Sequence, residues 1–389
     1  MINVQSVLET CVGCGACSNI CPNDSIEMKQ DPYGFLFPSV NADTCIDCHQ
    51  CEKVCMALNG VEDLLQDNGK SKYYAAWATK ENMAPNATSG GIATVLARNF
   101  FENGKVFGAA FCNGMVDLRH IECGSLEDVS SIAGSKYLQS NTTESLAKVK
   151  SALANGEKVL YIGTPCQIAG LKKYLKKGYE NLFTIDFFCH GVPSPLAWEK
   201  HVNYLEKKYR AKLMGYNFRA KLRGWGRLEQ SAEFSPRRVF LDVGPFNVYH
   251  TWFGMHWSIR SSCFHCQFRS NKRVSDITVA DFWKIEQYYP DIPTKQGVSC
   301  VILNTKRGKN LFEESVQKQQ IVAKSVSYES VWEKRKTTQS NFEEPIERHK
   351  FLENLKLMSP EELVRCYPAA KLMTQIVNAL KARIAFLYR

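Results

Sequence analysis

The most constraining feature of the sequence is a cysteine spacing that occurs twice near the N-terminus. Eight of the 16 cysteines fall within the first 55 residues. They form two copies of one pattern, Cys11-x2-Cys14-x2-Cys17-x3-Cys21 and Cys45-x2-Cys48-x2-Cys51-x3-Cys55. Two-residue gaps wrap three thiolates around one face of a 4Fe–4S cube, and the fourth cysteine reaches the other cube. The spacing therefore predicts two 4Fe–4S clusters, one on Cys11, Cys14, Cys17 and Cys55 and one on Cys45, Cys48, Cys51 and Cys21.

This head of the chain resembles a bacterial two-cluster ferredoxin domain, with Met56 where the first copy has Pro22. Gly13 and Gly15 allow backbone amides to approach the sulfurs, where hydrogen bonds help to set the redox potential. The alternative is a pair of four-cysteine zinc sites, because zinc also accepts CxxC pairs. Zinc does not require a duplicated spacing of eight cysteines, so one-electron transfer is the function predicted for the head.

The composition indicates a folded protein that needs no disulfide bonds. The 389 residues are 44% hydrophobic and 23% charged, which is ordinary globular usage. This length suggests about two to three domains and a sufficient buried core. The N-terminus lacks a basic segment followed by a long apolar run, and no stretch approaches the roughly 18 to 20 apolar residues of a membrane span. We therefore expect a cytoplasmic protein without a transmembrane segment, in a reducing compartment where clustered cysteines bind metal.

The charge of the chain is unevenly distributed. Lys plus Arg number 49 and Asp plus Glu number 39, a net charge of +10. Residues 1–60 carry a net charge of −5, so the remainder carries about +15. A zinc-bearing nucleic-acid binder would use such an excess and would show steeply salt-dependent affinity. The excess is diffuse and the cysteine-rich head is acidic, so we expect no nucleic-acid partner.

Beyond the head, the pattern changes to alternating strands and helices. Lys158–Ile162 and Leu182–Phe188 are apolar runs followed by a turn and then by helical periodicity, which favours a parallel sheet covered by helices. Arg227–Phe234 and Val239–Val243 predict an inserted hairpin. The predicted fold class is α/β, with an α+β ferredoxin-like head, an α/β body on a largely parallel sheet and a helical C-terminal tail. The predicted divisions are a ferredoxin domain at 1–60, a linker at 61–72, the two parts of the body at 73–155 and 156–330, and a helical extension at 331–389.

Four further cysteines in the body are candidates for a third metal site. Cys166 and Cys189 follow apolar strands, and Cys263 and Cys266 form a CxxC pair. Strand ends of a parallel sheet converge on one edge, where such folds build their sites. The residues alone leave a third cluster and a structural zinc open. The remaining cysteines lack partner spacing and are interpreted as small buried residues; they are Cys112, Cys123, Cys300 and Cys366.

Residues from about 73 to 330 resemble the family of coenzyme F420 (deazaflavin) hydrogenase/dehydrogenase beta subunits. The matching motifs are Thr88-Ser89-Gly90-Gly91, Gly134-Ser135-Lys136-Tyr137, Gly163-Thr164-Pro165-Cys166-Gln167, Cys189-His190-Gly191, Phe218-Arg219-x-Lys221 before Gly224-Trp225, and Arg260-x2-Cys263-x2-Cys266 before Ser275-Asp276-Ile277-Thr278. The resemblance implies a flavin, usually FAD rather than FMN, and a 4Fe–4S cluster on Cys166, Cys189, Cys263 and Cys266. The chain departs from the family at Ala280 and Lys284, where relatives often have glycine.

No G-x-G-x-x-G motif follows a strand, so a flavin cannot sit on a Rossmann fingerprint. The segment Thr88–Gly91 precedes a helix and offers amides, hydroxyls and a positive dipole end to a phosphate or a flavin carbonyl. The other interpretation of this segment is an ordinary helix cap. The resemblance implies that Lys136 pairs with the diphosphate or stabilises negative charge on the reduced flavin. The predicted flavin-binding residues are Thr88, Ser89, Gly90, Gly91, Ser135, Lys136, Tyr137 and Thr164.

Two further predictions concern the substrate. His190, together with Lys136, is a candidate catalytic residue, because a histidine can donate a proton to a substrate reduced by hydride. A structural histidine beside a cluster is the alternative. Arg219, Lys221 and Arg223 form a basic patch suited to a phosphorylated or carboxylated substrate. The patch is otherwise a solvated loop or the surface that docks the acidic head.

Together these features predict an iron–sulfur flavoprotein oxidoreductase. The expected partners are an external electron donor or acceptor, such as ferredoxin or reduced deazaflavin, and a small-molecule substrate. The substrate is either the deazaflavin coenzyme or a different metabolite reduced at the expense of ferredoxin, as the resemblance to plant chlorophyll-reducing relatives suggests. The alternative function is an electron-transfer subunit of a larger complex with no substrate site of its own, which predicts no flavin.

Overall fold

The computed structural model describes residues 4, 6–66, 71–222, 224–235, 237–243, 247–333 and 341–369. The strands are β1 (Ile26–Gln30), β2 (Leu36–Val40), β3 (Lys72–Ala78), β4 (Lys105–Phe111), β5 (Leu118–Glu122), β6 (Val159–Ile162), β7 (Leu182–Phe187), β8 (Leu213–Ala220), β9 (Glu229–Phe234), β10 (Arg237–Val243), β11 (Ile277–Asp281), β12 (Ser299–Leu303) and β13 (Ile321–Ser325). The α-helices are α1 (Ala16–Ile20), α2 (Gln50–Lys53), α3 (Met56–Asn59), α4 (Ile92–Phe101), α5 (Leu126–Ser131), α6 (Thr143–Ala154), α7 (Pro165–Leu175), α8 (Pro195–Tyr209), α9 (Val248–Gly254), α10 (Lys306–Gln317), α11 (Tyr328–Trp332), α12 (Ile346–Leu357) and α13 (Pro360–Cys366).

The head combines short helices with one antiparallel hairpin, β1–β2, in which Ile26 pairs with Val40. The hairpin turn includes Gly34, whose φ of 85° lies in the left-handed region that favours glycine. A Cβ at this position would lie 2.9 Å from the backbone nitrogen of Leu196 at the start of α8. The turn therefore packs directly against the body, and Ser194 Oγ donates a hydrogen bond to its Tyr33 carbonyl at 2.6 Å.

The body is built on an eight-stranded sheet of order β13-β3-β12-β11-β7-β6-β4-β5. Its centre is parallel, because β4 pairs with β6, β6 with β7, and β7 with β11 in parallel register. The edges are antiparallel: β5 pairs with β4 on one side, and β12, β3 and β13 follow β11 on the other. The predicted α/β class is confirmed, with a parallel core extended by antiparallel edge strands.

Helices cover both faces of this sheet, which explains its uninterrupted apolar strands. In β6, Tyr161 faces a core shared with α6, α7 and the head, whereas Leu160 faces a second core that includes residues of α4 and α10. Both side chains are fully buried. Successive side chains of a strand point to opposite faces, so each residue of such a central strand needs an apolar partner.

A separate three-stranded sheet, β10-β9-β8, lies against the C-terminal helices. Its core surrounds the buried Trp198 of α8 and includes residues of α9, α12 and α13. The hairpin β9–β10 is antiparallel, as the sequence predicts. The tail is helical through α13, and residues 370–389 of the predicted extension lie outside the described residues. No described helix is long and apolar enough to cross a membrane.

Candidate redox site

The first copy of the cysteine pattern lies on a loop that curls around its own sulfurs. Gly13 and Gly15 have φ values of 67° and 73°, and the Gly13 amide donates a hydrogen bond to Cys11 Sγ at 3.4 Å. Burial is the largest cause that raises the pKa of Cys14 to about 12, and the nearby thiols of Cys11 and Cys55 contribute to the same shift. Cys17 is likewise influenced by the other three thiols of this set. These four cysteines are the ones predicted to share a cluster.

The second copy repeats this geometry without glycines. Asp47 and His49 have φ values of 53° and 56°, and the Asp47 amide donates to Cys45 Sγ at 3.4 Å. Burial is the largest cause that raises the pKa of Cys51 to about 11, and the thiol of Cys21 contributes to the same shift. The loop from residue 41 to residue 50 is largely exposed, with Ile46 at 59%. The second set therefore lies at the solvent side of the head.

The four body cysteines come from three segments that the fold brings together. Cys166 is the second residue of α7, after β6; Cys189 follows β7, and Cys263 and Cys266 precede β11. All four line one pocket of about 120 Å³, many times the roughly 10–15 Å³ that one water needs. Burial raises the pKa of Cys166 to about 11 and that of Cys263 to about 12. Ligation of metal here would release these protons, because only a thiolate binds metal.

The arrangement of these thiols differs from that of a single-ion site. Within the described ranges, no three His, Cys, Asp or Glu side chains lie close enough together to hold one metal ion. A single zinc would require sulfurs about 2.3 Å from one common centre. The thiols instead line an open space, together with Arg260, Arg269 and Arg273. Arg273 is paired with Asp186 at 3.2 Å, whereas the positive charges of Arg260 and Arg269 act on the body thiols and suit a negative group between the sulfurs.

The first head set touches the body site. A Cβ at Gly170 of α7 would lie 2.5 Å from Cys14 Cβ and 2.9 Å from Cys14 Sγ, so Cys14 packs directly on the helix that contains Cys166. The Cys166 thiol is among the groups that raise the pKa of Cys14. Cys14 and Cys166 also belong to one hydrophobic core. The three cysteine sets are thus ordered from solvent inward as second head set, first head set and body set.

The residues predicted to bind a flavin form a contiguous group, apart from Thr164. The Ser135 amide donates to Thr88 Oγ1 at 2.8 Å, and the Lys136 ammonium donates to the Ala133 carbonyl at 2.9 Å. Ser89 Oγ is already engaged, because it donates to the Val298 carbonyl at 2.8 Å. The helix α4 that follows has no side-chain cap at its N-terminus. Thr164 instead lies beside Cys166, its Oγ1 3.1 Å from Sγ.

The basic residues of β8 and its following turn join this group. Lys221 Nζ donates to the Ser89 carbonyl at 2.8 Å, and burial lowers the pKa of Lys221 to about 8. Arg219 Nη1 donates to Tyr137 Oη at 3.2 Å and to Asp281 at 2.9 Å. Its Nη2 is buried and has no hydrogen-bond partner among the described residues. Arg219 is therefore a nearly buried cation with a donor left for a ligand.

Aromatic rings complete this group. The indoles of Trp225 and Trp283 stack with centroids 4.4 Å apart and planes inclined by 10°, and the guanidinium of Arg219 lies 5.0 Å from a Trp283 ring centroid. Trp225 Nε1 donates to Asp281 at 3.0 Å. Lys284, where relatives often have glycine, has a φ of 60°. That value lies in the left-handed region that favours glycine, so Lys284 occupies a strained backbone position.

Two family models match this chain. They describe the N-terminal and the C-terminal parts of the "Coenzyme F420 hydrogenase/dehydrogenase, beta subunit", and they match residues 73–147 and 156–329 respectively. Together they cover more than half of its length. The chain belongs to the family of coenzyme F420 hydrogenase/dehydrogenase beta subunits. A third model, "4Fe-4S dicluster domain", matches residues 10–58 and confirms the predicted two-cluster head.

Relatives of this family member are distant. The coenzyme F420-dependent sulfite reductase of Methanocaldococcus jannaschii is 24% identical over 350 residues, covering 87% of this chain and 50% of that protein. A component of the F(420)H(2) dehydrogenase of Methanosarcina mazei is 24% identical over 169 residues, covering 41% of this chain and 46% of that component. Ferredoxin-1 of Rhodobacter capsulatus is 37% identical over 57 residues, covering 13% of this chain and 80% of that ferredoxin. The chain thus spans about half the length of the two F420-linked relatives.

Family membership and the dicluster domain make this chain an iron–sulfur protein of electron transfer, related to F420-dependent oxidoreductases. The structure adds details to the remaining predictions. His190 is exposed at the edge of the cysteine pocket, and Arg223 lies outside the described residues. The interpretation of the unpaired cysteines as buried holds for Cys123 and Cys300 but is wrong for Cys112 and Cys366, which are exposed, because each sits near the end of an element at the surface.

Several residues of the site escape sequence reasoning. Arg260 and Gln139 hold the first cysteine loop of the head, so the head docks there rather than on the Arg219 patch. His250 lies near Arg219, and burial lowers its pKa to about 4. The only sequence signal was the Arg-x2-Cys spacing before Cys263; nothing local marks Gln139 or His250.

Proposed function

We propose that this chain is a ferredoxin- or deazaflavin-linked iron–sulfur flavin oxidoreductase. Three 4Fe–4S clusters would be held by the eight head cysteines and by Cys166, Cys189, Cys263 and Cys266. The flavin would be FAD, with FMN the less favoured choice. When bound, a flavin exchanges single electrons with clusters and a hydride with organic molecules. The observation that carries the proposal is the convergence of the four body cysteines on one pocket in contact with the first head set.

The shape and charge of the body pocket support a cluster there rather than zinc. The four cysteines line a pocket of about 120 Å³ that they share with residues of the head and of the body. Arg269 contributes positive charge that acts on Cys189, Cys263 and Cys266. A four-thiolate cluster needs that compensation, since a buried negative group without it is unstable.

The exposure of the three cysteine sets indicates which of them would face an external redox partner. Cys45 and Cys48 lie on the exposed loop of the head, whereas Cys14 contacts α7. An external protein donor or acceptor would therefore approach the second head set. Cys55 is the last cysteine of the second sequence copy, but its thiol lies near Cys11 of the first set. The polypeptide therefore links the two head sets directly.

The residues near α4 support a bound dinucleotide. The uncapped N-terminus of α4 leaves amides and a positive dipole end for a phosphate. Lys136 stands on the neighbouring loop, which Ser135 joins to Thr88. FAD has two phosphates, so one would bind at the N-terminus of α4 and the other would pair with Lys136. FMN has a single phosphate, which would bind at α4 and leave Lys136 without a phosphate partner. Gly90 and Ser89 would act by holding the loop, because their polar groups already bond to β12 and the residue before it.

The substrate side of the proposal rests on Arg219, Lys221 and His190. The free Nη2 of Arg219 suits a carboxylate or phosphate, which a guanidinium binds with two parallel hydrogen bonds. His190 would donate a proton from the exposed edge of the pocket. Since two relatives are named for coenzyme F420, the reduced deazaflavin is the first donor to test.

A second candidate function is electron delivery to a separate partner, without a substrate site. It is favoured by the sulfite reductase relative, of which this chain matches 50%. The two candidates differ in what the isolated chain does. Only the oxidoreductase binds flavin and oxidises reduced deazaflavin with an artificial electron acceptor.

Anaerobic purification with iron, sulfide, zinc and flavin quantified tests the proposal. Three four-iron clusters predict about twelve irons per chain, with one FAD. Cys166→Ser should lower iron to about eight while the head clusters keep their electron paramagnetic resonance (EPR) signals. Cys112→Ser is the control, because Cys112 is exposed and does not line the pocket of the four cysteines, and it should leave iron unchanged. Zinc in the body site, or a flavin-free protein, would contradict the proposal.

A further inference from the structure

Arg260 is the side chain that joins the head to the body cysteines. It is 2% exposed. Its Nε donates to the Cys11 carbonyl at 2.6 Å, its Nη2 to the Leu36 carbonyl at 2.9 Å, and its Nη1 to Gln139 Oε1 at 2.9 Å. The guanidinium also lies 4.1 Å from the ring centroid of Phe37. Two of its three hydrogen-bond partners thus lie in the head, one in the cluster-binding loop and one in β2.

The backbone of Arg260, in contrast to its side chain, forms hydrogen bonds within the body, beside the body cysteines. Its carbonyl accepts a hydrogen bond from the Cys263 amide at 3.0 Å, and its amide donates to the Val192 carbonyl at 3.0 Å. The side chain also lines the pocket of the four body cysteines. One residue therefore spans the gap between the ligand loop of Cys11 and the ligand loop of Cys263.

The charge of Arg260 lacks a close carboxylate. Among the described residues, no Asp or Glu oxygen forms a salt bridge with it, and its acceptors are neutral carbonyl oxygens. The nearest acid whose charge it influences is Asp31, which bonds instead to the backbone amides of Tyr33 and Phe35. A buried cation without a counter-charge is unstable. Cluster–thiolate groups on either side would supply that negative charge.

We propose that Arg260 is a positioning residue for electron transfer between the first head cluster and the body cluster. It fixes the spacing of the two ligand loops, and its positive charge stabilises the reduced form of both centres, because reduction adds negative charge. The inference rests on the proposed function for the body cluster alone; the head cluster follows from the dicluster domain.

The test is an EPR-monitored redox titration of the iron-loaded full chain with Arg260→Gln, Arg260→Lys and a matched control, Arg348→Gln. Arg348 is also buried and holds the same body loop, through the Ile259 carbonyl, Ser261 Oγ and the Phe264 ring, but it pairs with Glu344 and makes no contact with the head in the described residues. With an effective dielectric of about 20, loss of one charge roughly 10 Å away changes a reduction equilibrium by roughly tenfold, which is about 59 mV for one electron.

Arg260→Gln should therefore lower the reduction potentials of both adjacent centres by about that amount. Arg260→Lys keeps the positive charge and should keep both potentials near their wild-type values. Arg348→Gln should leave both potentials unchanged. Unchanged potentials in Arg260→Gln, or an equal shift in Arg348→Gln, would overturn the inference. If Arg260→Gln assembles no clusters, Arg260→Lys decides: near-native potentials with slower electron transfer between centres support the role, and native transfer rates refute it. If the wild type holds only about eight irons, the proposed function fails separately, and the potential of the head cluster alone decides for Arg260.

Discussion

Replacing Gly170 by alanine tests the contact through which the first head set rests on α7. The added Cβ would lie 2.5 Å from Cys14 Cβ, 2.9 Å from Cys14 Sγ and 3.7 Å from Met56 Cε. The first of these atoms is attached directly to the backbone of the cluster-binding loop, so it cannot swing away. The loop itself must shift, and Cys14 is one of its predicted ligands.

The size of the effect follows from two opposing contributions. Alanine is favoured over glycine inside a helix by about 1 kcal/mol, whereas overpacking a dense core costs about 1–3 kcal/mol. Gly254 in α9 provides a control, since a Cβ there meets no atom within 4 Å. Gly254→Ala should leave stability unchanged or raise it, and Gly170→Ala should be less stable than this control by about 1–3 kcal/mol.

The assay is guanidinium unfolding of both iron-loaded variants under argon, combined with the EPR spectrum of the head clusters. We expect Gly170→Ala to disturb the signal of the first head cluster and to spare that of the second, because Cys45 and Cys48 lie on the exposed loop. If Gly170→Ala matches Gly254→Ala in stability and leaves both signals native, then Cys14 does not pack on α7 and the inward ordering of the sites is refuted.

Three further predictions concern the body. Asp186→Asn should destabilise the protein by about 3–5 kcal/mol in urea unfolding, because it leaves the buried Arg273, 3.2 Å away, without its carboxylate, while Glu313→Gln on the surface of α10 should have little effect. Burial lowers the pKa of Lys136 to about 7, so between about pH 7 and 10.4 the unfolded chain binds more protons than the folded one, and the free energy of unfolding rises with pH across that window. Lys136→Met should flatten this rise, measured by urea unfolding of flavin-free protein at several pH values. A pH profile identical to that of the wild type would contradict the burial of Lys136. Lys284→Gly should raise the melting temperature, because a left-handed backbone costs a non-glycine residue roughly 1–2 kcal/mol and glycine loses only about 0.5–1 kcal/mol in entropy.

The elements that the sequence predicts well are those whose side chains are buried on both faces of the sheet. β6 and β7 read as apolar runs because α6 and α7 cover one face and α4 and α10 the other. The apolar pattern of the sequence does not predict the edge strand β13, for the converse reason. Its pattern is one buried residue followed by mostly exposed ones, so its place in the sheet depends on backbone pairing with β3, which no side-chain periodicity records.

The same distinction applies to the site. The head ligands are encoded by local spacing, because three sulfurs of one set lie within seven consecutive residues. The body cysteines follow strand ends or precede β11, but their common pocket depends on β6, β7 and the segment before β11 being neighbours in space. Arg260 and Cys11 are 249 positions apart in the sequence. A contact of that separation has no local signature, so the sequence predicted each cysteine set but not how the head and body are joined.

The chemistry of that junction explains why the head shows no sign of it. Its first cysteine loop is held through backbone carbonyls: Arg260 donates to Cys11, Gln139 to Val12 at 3.2 Å and Thr142 to Cys14 at 3.0 Å. Every residue type supplies such a carbonyl, so a ferredoxin loop can dock without changing its own side chains. For this loop the specificity resides in body donors that match its outward carbonyls, and elsewhere the head contributes side chains of its own, such as Asn19 to the Thr143 carbonyl and Tyr33 to Glu353. It follows that substitutions at Gln139 and Thr142 should loosen the head while leaving its cluster chemistry intact, whereas substitutions at Arg260 should alter both.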